Sequence, residues 1–330
     1  MTQILTPCSK TYNIASKHIK NGDIVAFPTE TVYGLGADAT NEKAVSKIFE
    51  AKNRPQDNPL IVHLAKKSDI KKYVQGISQS QKALINAFMP GPISIIFDKN
   101  DKIASNVCPN QTTVAIRIPE NKIARKFIKK CNRPICAPSA NSSNRPSPTL
   151  AKHVYDDLDE KVALIIDGGA TDIGIESTVV KVSSGVVYIL RPGKITKQMI
   201  EQKTGLVVGE KIDTSKVIES PGTKYAHYKP KCDMALVHTN MISTINKIYD
   251  EQTAEGKKVV ILCKTQNLAH YPNKNAMILG KDSNEASKNL FKILREVEDN
   301  DIILSEVFDN GDMVEALFNR MIKSASGNII

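Results

Sequence analysis

KNRPQDNPLIVHL, from Lys52 to Leu64, places a basic turn directly before a short apolar run. Leu60, Ile61, Val62 and Leu64 read as a buried strand. Lys52 and Arg54 stand just ahead of it, Pro55 and Pro59 stiffen the intervening loop, and His63 is the one titratable group inside the apolar run. Such a turn can fix two cations against a phosphate. Taken alone, the same two cations fit equally well at the end of a helix, where basic side chains meet the negative end of the helix dipole.

A second segment of matching character weighs against that plainer reading. CAPSANSSNRPSPT, Cys136 to Thr149, crowds Ser139, Asn141, Ser142, Ser143, Asn144, Arg145, Ser147 and Thr149 around three prolines. It cannot be a core strand, and it is dense in donors suited to phosphate and carboxylate oxygens.

Working outward, apolar runs predict strands over Asp23 to Phe27, Leu60 to Leu64, Ile93 to Phe97, Thr113 to Ile118, Val162 to Ile166, Ser177 to Val182 and Val186 to Leu190. Helical spacing predicts helices over Glu42 to Ala51, Gln79 to Phe88, Asn121 to Lys130 and Thr149 to Leu158. More strands than a pure parallel sheet needs point to an α/β domain with a mixed, twisted sheet. Periodicity fades from Gly205 to Lys231, a stretch that carries Tyr225, His227 and Tyr228. Beyond it, strands at Met234 to His238, Val259 to Cys263, Ala276 to Leu279 and Ile302 to Val307 alternate with helices at Ile242 to Gln252, Glu285 to Glu298 and Asp312 to Ser324. That alternation predicts a small parallel sheet of doubly wound, Rossmann-like type.

The length of 330 residues exceeds one ordinary domain, and 41% hydrophobic residues suffice for real cores. No apolar run approaches a membrane span, and MTQILTPCSK lacks the basic-then-apolar signal pattern, so a cytoplasmic location is expected. Six cysteines form no CxxC pair and have no histidines at zinc-like spacing; buried thiols in a reducing compartment are expected. The net charge of +10 suits an anionic ligand, yet Lys66, Lys67, Lys71 and Lys72, and Lys122, Arg125, Lys126, Lys129 and Lys130, sit at helical spacings that mark solvated faces. GLGADA, Gly34 to Ala39, imitates a dinucleotide fingerprint, but Pro28 to Tyr33 separate it from the preceding strand. A P-loop is absent, so any ATP needs another arrangement.

PTETVYGLGADA (Pro28 to Ala39), KNRPQDNPLIVHL, PGPISIIF (Pro90 to Phe97), TVAIRIP (Thr113 to Pro119), APSANSSNRPSPT, IIDGG (Ile165 to Gly169) and ESTVV (Glu176 to Val180) together resemble the threonylcarbamoyl-adenylate synthases. The resemblance covers roughly the first two hundred residues in the same motif order. SPGTKYAHYKP, Ser220 to Pro230, resembles the linker of the longer, two-domain members. The resemblance implies a large central sheet enclosing a concave basic site. It also implies a catalytic domain over residues 1–204, a linker over 205–231 that closes on the site, and a C-terminal domain over 232–330.

The implied activity is the synthesis of threonylcarbamoyl-adenylate from L-threonine, bicarbonate and ATP with release of pyrophosphate, the first step of a tRNA modification beside the anticodon. Lys52, Arg54, Ser139 and Asn141 match the two motifs that surround the phosphates and reaction centre. Asn58, Thr113, Ser147 and Arg191 match positions that contact the nucleotide, with Arg54 and Ser139 also on that side. His227, and Tyr225 with it, match the closing linker. Thr29, His63, Arg117 and Ser177 match positions that hold threonine. Magnesium is expected to arrive with the ATP phosphates, with no protein ligand assigned, and neither Glu30 nor Glu176 is assigned as a general base. The product is expected to pass to the tRNA threonylcarbamoyl transferase machinery, with direct tRNA binding not required. Thr223 and Asn144 depart from the family pattern without removing a contacting group.

The residues also carry plainer readings. Arg117 fits a two-pronged clamp on a carboxylate or an edge-strand arginine facing water. His63 fits a ligand contact or a satisfied core histidine. Two other functions compete: a tRNA or double-stranded RNA binding protein without adenylating activity, against which stands the lack of an aromatic stacking motif, and a carbamoyl transferase of hydrogenase maturation, whose further zinc-finger regions are missing here.

Overall fold

The structure, a computed structural model, describes residues 1–210, 227–238 and 241–330. The chain divides into two compact units, one of Met1–Ser143, Ser147–Asp172 and Glu176–Lys224, the other of Asn144–Pro146, Ile173–Ile175 and Tyr225–Ile330.

The first unit is built on ten strands: β1 (Gln3–Leu5), β2 (Val25–Phe27), β3 (Gly34–Asp38), β4 (Ile61–His63), β5 (Ile93–Asp98), β6 (Thr113–Arg117), β7 (Ile135–Ala137), β8 (Leu164–Ile166), β9 (Thr178–Ser183) and β10 (Val186–Arg191). They form one mixed sheet in the order β1-β8-β2-β3-β7-β4-β6-β5-β9-β10. Its helices are α1 (Ser9–Lys20), α2 (Glu42–Lys52), α3 (Gln79–Phe88), α4 (Lys122–Cys131), α5 (Ala151–Leu158) and α6 (Lys197–Thr204).

Every predicted strand is present within a few residues. Three strands and two helices went unpredicted: β1, β3, β7, α1 and α6. The GLGADA stretch is β3 itself, antiparallel to both β2 and β7. Its glycines make room for a neighbour's ring: a Cβ on Gly36 would lie 2.9 Å from Phe27 Cε1 and 2.7 Å from Ile135 Cγ2.

Alternation of side chains across a strand divides the sheet into two faces. On one face, Ala26, Leu35, Val62, Ile95, Ile116 and Val180 pack with residues of α2, α3, α5 and α6 into the main core. On the other, α1 and α4 cover only the half made by Val25, Phe27, Ile135, Ala137, Leu164 and Ile166. The remaining half of that face carries a small apolar floor of Ile61, Ile96, Ala115 and Val179, with Leu190 against it.

The second unit is an all-parallel sheet, β11 (Asp233–Val237), β12 (Val259–Lys264), β13 (Ala276–Gly280) and β14 (Ile302–Glu306), in the order β11-β14-β12-β13. Helices α7 (Ile242–Ala254), α8 (Ser283–Glu296) and α9 (Val314–Ser324) connect and follow its strands, the predicted doubly wound pattern. At the carboxyl end of β14 the buried Glu306 accepts from Lys264 N at 2.8 Å, Asn267 Nδ2 at 3.0 Å and the Tyr271 hydroxyl at 2.5 Å. Five cysteines are buried as expected, while Cys8, which caps α1, is exposed. Among the described residues no helix is long and apolar enough to cross a membrane.

Candidate functional site

The strands of the half of this face that α1 and α4 do not cover deliver its polar groups. β4 and β6 run parallel, pairing His63 with Arg117 at their carboxyl ends. β5 runs antiparallel to β6 and parallel to β9, so the starts of β5 and β9 and the end of β10 reach the same edge. Ser94, Ser177 and Arg191 therefore join His63 and Arg117. Each is buried, although three of the five are charged or titratable.

Arg117, 4% exposed, donates from Nη2 to Glu30 Oε1 at 2.7 Å, and Asn121 N donates to Glu30 Oε2 at 3.4 Å. Burial pushes the Glu30 carboxyl up, but the charge and hydrogen bond of Arg117 outweigh it and hold the group below the usual carboxylate range. The Arg117 Nε is buried with no hydrogen-bond partner. A buried guanidinium with one arm fixed and another donor unused is suited to a carboxylate ligand.

Beside it, burial first and then the Arg117 charge push the His63 imidazole down to about 3. Its Nδ1 lies 3.1 Å from the Ile61 carbonyl, which can only accept, so Nδ1 donates. A group that is neutral at working pH and so weakly basic orients a ligand rather than removing its proton.

Ser177 Oγ lies 2.9 Å from Ser94 Oγ and accepts from Arg191 Nη2 at 3.1 Å, while Arg191 Nε donates to the Ser177 carbonyl at 3.0 Å. One residue earlier, Glu176 Oε1 accepts from Ser147 Oγ at 2.6 Å. Thr29 is committed to its own turn: its hydroxyl donates to the Val32 carbonyl at 2.6 Å, and it accepts from Thr31 N at 3.1 Å. Its neighbour Glu30 makes the contact with Arg117.

The two polar motifs meet at Lys52. This last residue of α2, 2% exposed, donates from Nζ to the Ser139 carbonyl at 2.6 Å and to the Asn141 carbonyl. Asn53 then turns the chain in the left-handed conformation at φ 50°. Arg54 donates to the carbonyls of Asn58 at 3.3 Å and Pro59 at 3.2 Å. The Asn58 Oδ1 is buried with no hydrogen-bond partner, an acceptor available to a ligand. Asn58 precedes the start of β4 and Thr113 opens β6, and the two strands run parallel. Asn58 and Thr113 thus lie at the opposite end of β4 and β6 from His63 and Arg117.

Among the expected residues, His227 belongs to the second unit, its ring 5.5 Å from that of Tyr228, which in turn lies 5.0 Å from Phe291. Tyr225, with most of the SPGTKYAHYKP stretch, lies outside the described residues. Sequence reasoning left Glu30 without a role and passed over Ser94. A single charged residue inside the otherwise uncharged PTETVYG stretch was the available signal for the first; nothing marked the second.

Known proteins resemble this chain along most of its length. A family model for Sua5, YciO and YrdC proteins, described as telomere recombination, matches residues 17–193. A second, described as threonylcarbamoyl-AMP synthase, C-terminal domain, matches residues 195–326. The chain is 39% identical over 328 residues to the threonylcarbamoyl-AMP synthase of Pyrococcus abyssi, covering 96% of this chain and 94% of that one. It is 38% identical over 323 residues to that of Bacillus subtilis, covering 96% and 93%. The crystal structure of P. abyssi Sua5 complexed with L-threonine superposes with a TM-score of 0.92 at 36% identity, covering 100% of this chain and 99% of that one.

Proposed function

The chain belongs to the threonylcarbamoyl-AMP synthase family, and from that premise we propose how its own residues make the adenylate. It is an enzyme of nucleotidyltransferase type. The solved relative is a complex with L-threonine, and here threonine is assigned to the edge formed by His63, Arg117 and Ser177. The Arg117 Nε, its arm steadied by Glu30, receives the amino acid carboxylate. Neutral His63 adds no positive charge against the threonine ammonium and orients the amino acid. Thr29 acts through the turn that presents Glu30.

ATP is assigned to Arg54, Asn58, Thr113, Ser139, Ser147 and Arg191, with Lys52 and Asn141 at the junction of the two motifs. The threonine amine, once deprotonated, attacks carbon dioxide derived from bicarbonate. The resulting carbamate oxygen forms a bond to the α-phosphorus as the bond to pyrophosphate breaks. Such a displacement depends on positioning and on neutralising charge, so Lys52, Arg54 and Arg191 carry most of the stabilisation and no covalent enzyme intermediate is needed. The observation that carries this reading is the 3.1 Å contact of Arg191 with Ser177. It joins a residue assigned to the nucleotide to one assigned to threonine, as a reaction between carbamate and α-phosphate requires.

Among the described residues no group of three or more histidine, cysteine or acidic side chains is placed to hold a metal. Glu30 and Glu176 each already accept from a protein side chain. The donor set fits magnesium held mainly by the ATP phosphates, where it would supply further charge neutralisation on the leaving pyrophosphate. The product, a reactive mixed anhydride, is handed to the tRNA threonylcarbamoyl transferase machinery in the cytoplasm.

Pyrophosphate release by the purified chain with ATP and magnesium tests the reading when threonine or bicarbonate is withheld in turn. Release is expected only with both present. Release in their absence, or none from a folded sample, would overturn it.

A further inference from the structure

A groove of about 670 Å³ lies in the first unit, outside the residues assigned above. Lys122, Arg125, Lys126 and Lys129 of α4 form one wall, and Lys66 and Lys72, flanking a short 3-10 turn, form the other. Arg133 lies at its end, and Leu64, Ala65, Ile128 and Pro134 give it an apolar floor beside the half-buried Tyr73. The two lysine sets read as solvated faces are largely exposed, and members of both line this one cavity.

The charge balance is one-sided. Among the described residues of the lining, Asp69 is the one carboxylate, and it is shared by Lys72 at 2.8 Å and Lys66 at 4.0 Å. Arg133 is met by Asp38 at 3.3 Å. Among the four α4 cations, Lys122 lies three and four residues before Arg125 and Lys126, and Lys129 four and three after them, so like charges meet on the helix surface, and no ion pair joins them to a described carboxylate. The Arg125 Nε is buried with no hydrogen-bond partner. A solvated lysine face needs neither a facing cationic wall nor a buried, unused guanidinium donor. An anionic ligand accounts for both.

The apolar floor and the size narrow the ligand. Small-molecule sites run to about 300–1,000 Å³, and a bare phosphate fills little of this one. We propose that the α4 groove is a second anion site, which takes the phosphates of a nucleotide unit on its cations and the apolar body of that unit against Ile128, Leu64 and Tyr73. The shared chemistry is that of a free nucleotide or of a nucleotide within an RNA strand. The groove adjoins the first site: Leu64 N donates to the Arg117 carbonyl at 2.9 Å, and the backbone N of Asn121, the N-cap residue of α4, donates to Glu30 at 3.4 Å. The proposal does not depend on how threonine and ATP are assigned.

Equilibrium dialysis of the full chain with ADP, and anisotropy titration with unmodified tRNA, test it. The variant Lys122→Gln/Lys126→Gln/Lys129→Gln is compared with Lys43→Gln/Lys82→Gln/Lys197→Gln, which removes the same charge from exposed positions elsewhere. If free nucleotide is the ligand, the groove variant loses one ADP equivalent per chain, whatever the total, and the control does not. If RNA is the ligand, the groove variant loses at least tenfold in tRNA affinity and its salt slope becomes shallower by about two, from roughly 0.7 per contact. In both cases threonine-dependent pyrophosphate release persists. Equal losses in the control, no change in either titration, or a groove-dependent affinity for poly-glutamate alone would overturn the assignment.

Discussion

Replacing Glu30 by glutamine isolates what the buried ion pair does for the threonine end of the site. Glu30 and Arg117 are 3% and 4% exposed and 2.7 Å apart, so solvent screens their attraction little. Removing one partner of such a pair costs about 3–5 kcal/mol, because the other charge stays buried without compensation. Glutamine keeps one acceptor for Nη2, which moves the expectation to the lower end, about 3 kcal/mol. At 2–4 °C per kcal/mol for a domain of this size, that is a fall of roughly 6–12 °C in the midpoint. Calorimetry suits a chain without tryptophan.

The pH dependence has a fixed sign. The folded Glu30 pKa lies below its ordinary value, so the stabilisation is complete above about pH 4.5 and is lost as pH falls through the folded value. Glu30→Gln lacks that acid-side loss, so its difference from the wild type narrows as the pH is lowered. Saturating threonine restores a counter-charge to Arg117, and so raises the midpoint of the variant more than that of the wild type. A variant within about 0.5 kcal/mol of wild type at pH 7, or one that threonine stabilises no better, would refute the claim that Glu30 holds Arg117 for a carboxylate.

Lys52→Ala removes the tie between α2 and the Ser139–Asn141 loop; a fall of about 10²–10³-fold in kcat is expected, as for loss of one preorganised charge donor, with faster amide exchange in that loop. Unchanged kcat with only a higher KM for ATP would confine Lys52 to ground-state binding. Burying His63 as a neutral group makes stability fall as pH drops from about 6.5 toward its folded value near 3, by about 1.4 kcal/mol per pH unit. His63→Asn should flatten that slope in calorimetry while leaving the shape of the pH–rate profile between pH 5 and 8 unchanged, and an inflection that vanishes with the histidine would sink the positioning role. Gly36→Ala forces a methyl against the Phe27 ring and Ile135, so a loss of about 1–3 kcal/mol is expected; wild-type stability in a urea titration would mean that the ring moves freely.

The elements that sequence made legible are those in which one side chain type does one task. α2, α3 and α4 have wide apolar stripes and side-chain caps at Asn41, Ser78 and Asn121. The missed α1 buries Thr11, Ala15, Ser16 and Ile19, a partly polar stripe, and its N-cap residue Cys8 makes no side-chain capping hydrogen bond, so no cap residue marks its start. β3 was hidden because its two glycines serve a ring on the adjacent strand, a reason that lies outside the segment. The basic loops were visible as compositions. That Lys52 fastens one to the other is a contact across 87 residues to Ser139, which no local pattern contains.

The division of the sheet's second face explains why the site lies where it does. Its strands alternate regularly, yet the same alternation has opposite consequences at its two ends. Under α1 and α4 the positions of Val25, Phe27, Ile135 and Ala137 are apolar and complete a core. Along β4, β6 and β5 the corresponding positions begin as Ile61, Ala115 and Ile96 and then give way to His63, Arg117 and Ser94 at one shared edge. Arg117 Nε is already buried there without a partner, and a helix packed against it would leave that donor unsatisfied, at a cost of about 1–3 kcal/mol or more for a charged donor. The polar ends of those strands thus disfavour a covering helix and leave the donors for substrate. Placing apolar residues at positions 63, 94 and 117 would complete a second core and abolish the site, with the sheet order unchanged.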